Sequence, residues 1–187
     1  MPVLGIDQSL LHTGVFAITE GGFYPSQIDT EPRRGAERLL FIRDAVRTVL
    51  DTFKPELVAM EGYAYGSVGR LAELGELGGT LKVLFQEHGI PVIVVAPIQV
   101  KKFIAGHSNA EKIDVVHAVN KRFNLNWTED ENNMADAAAL ALIAKAYLDP
   151  SSLTTRNEVE VIAKLRGTVT ITRKKKRKLP RNHFHKI

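Results

Sequence analysis

Three carboxylates stand in stretches of this chain that hold almost no other charge. Asp7 closes the apolar run VLGID, Glu61 closes LVAME, and Asp136 lies within NNMADAAALALIA. A charge at the end of a buried strand costs roughly several kcal/mol unless something compensates it. Each acid alone has an ordinary explanation. Asp7 suits a turn, Glu61 an exposed strand end, and Asp136 the first turn of a helix, where the dipole favours a negative charge. Jointly they suggest more. If the strands ending in Asp7 and Glu61 lie side by side, the two carboxylates approach each other, and a helix packed across the sheet brings Asp136 to the same point. Three carboxylates so placed repel one another unless cations sit between them. Oxygen-only ligands select Mg2+ or Mn2+ over Zn2+. Two such ions about 3.5–4 Å apart would stabilise the attacking and leaving oxygens of a phosphodiester displacement.

The elements that must position these acids follow from the pattern of apolar residues. Strands are expected at 3–7, 13–18 and 22–28, the first two joined by a short connection that implies an antiparallel start. Apolar residues at Leu39, Leu40, Ile42, Ala45, Val46 and Val49 repeat with a helical period over 36–53. LVAME at 57–61 reads as a buried strand, 66–69 as a loop, 70–88 as a helix rich in Leu and Gly, and PVIVVAP at 91–97 as another strand. Helices follow at 98–105, 110–123, 131–148 and 155–165. Thr128 and Glu131 form a candidate capping box before the 131–148 helix, and TVTIT at 168–172 is strand-like. Three strands followed by alternating helices and strands predict an α/β fold, a mixed sheet with helices on its faces.

Composition sets the remaining bounds. At 187 residues and 44% hydrophobic, the chain suits one domain, expected over 1–150, with an extension over 151–187. Disulfides and thiolate chemistry are excluded by the absence of cysteine. No run of 18 apolar residues predicts a membrane helix, and the start lacks a signal peptide's pattern. A soluble intracellular protein is therefore expected. Residues 1–150 hold 14 Lys and Arg against 19 Asp and Glu, a net −5, whereas 151–187 hold 11 against 2, a net +9. An acidic body with a basic end points to a polyanion held by that end. RKKKRK, comprising Arg173, Lys174, Lys175, Lys176, Arg177 and Lys178, is the densest part.

Four blocks, GIDQSLLHTGVFAI, VAMEGYAYG, APIQVKKFIAGHSNAEKIDVV and NNMADAAALALIAKA, resemble in order those of RuvC-type Holliday-junction resolvases, particularly bacteriophage members. The resemblance spans about residues 3–148. It implies a ribonuclease H-like fold with helices on both faces, a metal-dependent endonuclease of branched DNA, especially four-way junctions, and a homodimer acting in the cytoplasm, that of the bacterial host for a phage-encoded chain. Mg2+ is the implied cofactor, with Mn2+ as a substitute. Asp7, Glu61 and Asp136 match the metal carboxylates of the family. Lys101 and Lys112 match basic residues along the DNA path, and Lys112 sits where a cation offsets charge on the scissile phosphate. Tyr63 and Tyr65 match a place where an aromatic stacks on an opened base. The basic run Arg173–Lys178 is expected to contact DNA.

The chain departs from the family pattern at Asn133, where relatives often carry an acid or a histidine one turn before the last Asp. Asn133 and Asp136 are i and i+3 and share a helix face. Asn133 offers a neutral oxygen, and Asp130 or Glu131 are alternatives for the fourth ligand. His12 and His107 read as lone surface residues. Gly75, Gly78 and Gly79 allow close approach by another backbone, in a dimer or within the chain. Two other functions fit parts of the pattern. One is cleavage of RNA–DNA hybrids by a similar site; the other reads GIDQSLLHTG as the phosphate loop of an actin-like or sugar-kinase ATP phosphotransferase. A binding module without activity is a third reading, and the presence of all three acids opposes it.

Overall fold

The computed structural model describes residues 1–62 and 70–167. Among the described residues five strands form one sheet: β1 (Val3–Asp7), β2 (His12–Thr19), β3 (Gly22–Asp29), β4 (Leu57–Glu61) and β5 (Val92–Val95). Their spatial order is β3-β2-β1-β4-β5. The first three strands form an antiparallel meander, with Asp7 opposite Gly14 and His12 opposite Asp29. β4 then lies parallel to β1, with Met60 beside Ile6, and β5 lies parallel to β4, with Val95 beside Glu61. The mixed sheet and the pairing of the first and fourth strands agree with the expectation from sequence.

Side chains alternate between the two faces of a strand, and this sheet buries both. Leu4, Ile6, Val15, Ala17, Val58 and Met60 pack against α1 (Gly35–Phe53) and α2 (Leu71–Glu87). The opposite face carries Val3, Phe16, Leu57 and Ala59. It is covered by α3 (Pro97–Ala105), α4 (Lys112–Phe123), α5 (Asn132–Leu148) and α6 (Arg156–Leu165). By the same alternation Asp7 and Glu61 project toward the α5 side. Gly78 turns into the core, whereas a Cβ added at Gly75 or Gly79 would meet nothing within 4 Å.

α5 is apolar around most of its circumference, as a helix buried on all sides must be. Nine of its residues are buried, seven of them alanines. Small side chains let it lie directly on the strands. A Cβ built at Gly5 would fall 2.0 Å from the Ala137 carbonyl oxygen, and one at Gly14 would fall 2.0 Å from that of Asn133. Two glycines on neighbouring strands thus form the bed of the helix. A 3-10 turn at Glu129–Glu131 leads into it, capped by Thr128, whose N–H donates to Glu131 Oε2 at 2.7 Å.

The packed body continues past residue 150. Thr155 caps α6, and Val161 and Ile162 join the α5-side core. Glu158 is buried there. It pairs with Arg122 and accepts the N–H groups of Thr154 and Thr155. Tyr63, Tyr65, the expected 66–69 loop, TVTIT and the basic run 173–178 lie outside the described residues. No helix of the described residues is long and apolar enough to cross a membrane.

Candidate active site

β1 and β4 end together, and the first turn of α5 crosses them, so Asp7, Glu61 and Asp136 share one neighbourhood. Asp7 is 7% exposed. Burial first, then the charges of Glu61 and Asp136, push its carboxyl well above the usual carboxylate range. Burial also raises Glu61, while a hydrogen bond with Asp7 and the charge of Lys101 act in the opposite direction. Asp136 is pushed up to about 7, chiefly by burial and then by Glu61, against the pull of Lys112 and Lys101. Carboxylates crowded together and partly withdrawn from water in this way mark functional sites. The sequence-predicted acids and both lysines therefore meet here.

The donors are all oxygen and anionic, which fits a hard divalent cation. Among the described residues, no three acids or histidines already stand around one point as a ready-made ligand set. Asn133 sits one turn before Asp136, with its backbone pressed on Gly14, and lines a cavity with Lys112. Glu131 is engaged elsewhere, since its carboxylate accepts both the N–H and the hydroxyl of Thr128. Neither Glu131 nor Asp130 is among the charges that perturb Asp136.

The connection between β1 and β2 is held by two fully buried threonines. The Thr13 hydroxyl donates to Ser9 O at 2.5 Å, and the Thr30 hydroxyl donates to Leu10 O at 2.6 Å. Gln8 Nε2 donates to Glu61 O at 2.8 Å, which ties this loop to the end of β4. Gln8 Oε1 is buried and has no partner among the described residues.

Sequence reasoning missed one arrangement here. His12 is not a lone loop residue: it opens β2, and its Nδ1 lies 2.8 Å from Asp29 Oδ1. Gln27 Nε2 donates to the same oxygen at 2.9 Å. These two bonds hold the Asp29 carboxyl below its usual range. The register that places His12 opposite Asp29 was available from counting along the expected hairpin.

A sheet in this order, with acids ending two adjacent parallel strands, is the ribonuclease H-like arrangement of a nuclease. The family model described as "Crossover junction endodeoxyribonuclease RuvC" matches residues 3–144, and the chain belongs to that family. The RuvC of Thermus thermophilus is 32% identical over 157 residues, covering 79% of this chain and 95% of the relative. A Synechococcus RuvC is 28% identical over 148 residues, covering 76% and 96%. The solved Thermus thermophilus RuvC superposes with a TM-score of 0.69 at 31% identity, covering 81% of this chain and 98% of that one. The same protein in complex with Holliday junction substrate gives 0.70 at 31%, covering 81% and 97%. A family match over residues 3–144 favours neither the kinase reading of GIDQSLLHTG nor the RNA–DNA hybrid reading.

Proposed function

We propose that this RuvC-family endonuclease hydrolyses phosphodiester bonds at four-way DNA junctions, at a centre held by Asp7, Glu61 and Asp136. The observation that carries this reading is the convergence of three carboxylates, Asp7 buried and Glu61 and Asp136 half-buried, with Lys101 and Lys112 beside them. Mg2+ is the assigned cofactor, with Mn2+ as a substitute; when bound, it polarises the scissile phosphate and lowers the pKa of an attacking water. Holding a cation would favour the ionised form of all three acids. Asn133 is assigned as a neutral fourth oxygen. Lys112 lies close enough to Asp7 and Asp136 to act on both and offsets charge gathering on the phosphate. Lys101 does the same from the Glu61 side and guides the strand.

Tyr63 and Tyr65 are assigned to stacking on bases at the junction centre, and Arg173, Lys174, Lys175, Lys176, Arg177 and Lys178 to the DNA backbone. Two symmetric cuts call for a C2 dimer, and the open Gly75–Gly79 side of α2 is the assigned contact. The reading places the protein in the cytoplasm, where DNA recombines in a bacterial cell.

The deciding assay offers the protein a mobile four-way junction, a matched duplex, a flap and an RNA–DNA hybrid, with Mg2+ or Mn2+. Paired, symmetric cuts in the junction with an intact duplex are expected. Preferential cutting of the hybrid would replace the junction by that substrate.

A further inference from the structure

Beside the acidic centre, the cavity lined by Asn133 and Lys112 measures about 380 Å3. Among the described residues its walls include Ser9, His12, Arg70, Lys112, Asn132 and Asn133, and no carboxylate. Lys112 joins it to the acids, because its charge reaches Asp7 and Asp136 while its Nζ lies 3.5 Å from Asn132 Oδ1. A cavity lined by a lysine, an arginine, an imidazole and two amides, next to a phosphodiester-cleaving centre, is chemically suited to an anion.

Resting on the junction-cutting reading above, we propose that this cavity binds a non-scissile phosphate of the cut strand, and that His12 is its positioned donor. Asp29 can only accept at this contact, so His12 Nδ1 carries the hydrogen between them. That fixes the ring and leaves Nε2 free, among the described residues, to meet a phosphate oxygen. With Asp29 and a phosphate oxygen both accepting, the bound arrangement calls for a donor on each ring nitrogen, the imidazolium form. The support beneath it is rigid. Ser9 Oγ accepts from His12 N and Leu11 N at 3.4 Å, and Thr13 and Thr30 hold the loop from below. Lys112 would then contact the scissile group on one side and its neighbour on the other, fixing the register of the strand over the acids.

The test measures junction binding in EDTA, so that cleavage plays no part. Single neutral methylphosphonates replace, in turn, each phosphate of one strand around the branch point of the junction. Wild type is expected to lose about threefold to tenfold in affinity at one of these positions, the range of a half-exposed charge-assisted bond. His12→Ala should lose a similar factor on the unmodified junction and lose nothing more at that position. His12→Lys should restore binding, and Asp29→Asn should fall between. Matched melting curves show that the half-exposed site tolerates these changes. If His12→Ala binds the unmodified junction as wild type does, or keeps the full penalty at every modified phosphate, the subsite is wrong. Failure of wild type to cut junctions with metal, despite normal binding coupling, would instead remove the parent reading and leave the subsite standing. No junction binding at all would overturn both.

Discussion

At the scale of single residues, the proposed centre works by holding acids that would rather be protonated. Asp7→Asn, Glu61→Gln and Asp136→Asn should each reduce junction cleavage by about a thousandfold, the rate equivalent of roughly 4 kcal/mol. Junction binding should be kept or tightened, because each change removes negative charge from the DNA path. Single-turnover cleavage beside a gel-shift titration separates the two effects. The same acids make metal-free stability depend on pH. Asp136 is pushed up to about 7 in the folded chain against 3.8 as its ordinary value. Between those values the folded state binds more protons than the unfolded state, so stability falls as pH rises through that window. Asp7 and Glu61 are raised and act in the same direction. In EDTA, Asp136→Asn should therefore melt above wild type at pH 8 and close to it near pH 4. Added Mg2+ should raise the wild-type Tm more at pH 8 than at pH 5.5, by about 2–4 °C for each kcal/mol gained. Equal Mg2+ shifts at both pH values would disconnect these protons from the cation.

At the scale of elements, the helix that carries Asp136 is registered against the sheet by two missing side chains. Gly14→Ala drives a Cβ into the Asn133 carbonyl, and Gly5→Ala drives one into Ala137. Overpacking of this kind costs about 1–3 kcal/mol, so both variants should unfold at lower urea. Gly14 lies under the first turn of α5, opposite Asp7, so its variant should also lose cleavage out of proportion to its stability. Gly5→Ala should spare more activity, and a matched loss in both would show that only stability is at stake. Much of this architecture was legible in the residues. Apolar runs ending in acids marked β1 and β4, and the nearly charge-free NNMADAAALALIA marked a buried helix. The close approach at Gly5 and Gly14 was not legible, because a glycine in a strand looks the same whether it opens a bulge or makes room for a helix. His12 and Asp29 were missed because their pairing depends on hairpin register, which a search for histidine spacing along the chain does not detect.

At the scale of the whole molecule, charge is divided along the chain: residues 1–150 are net −5 and 151–187 net +9. Deleting residues 173–187 removes eight Lys and Arg. Each phosphate that this deletion leaves without a cation lowers the salt slope of binding by about 0.9 on duplex DNA. The truncated protein should bind junctions more weakly and with a shallower salt dependence, yet cleave at a near-normal rate once saturated. Affinities measured across a salt series check this, and an unchanged slope would assign the basic run to some other partner.

The contact of α5 with the two glycines also ties the catalytic geometry to the molecule's last line of resistance. Asp7, Glu61 and Asp136 ride on two central strands and the helix seated on that sheet, so no peripheral opening separates them. Amide protons around Asp136 should then exchange with deuterium only through whole-molecule unfolding. On heating, the temperature at which activity disappears and the temperature at which the protein melts should coincide.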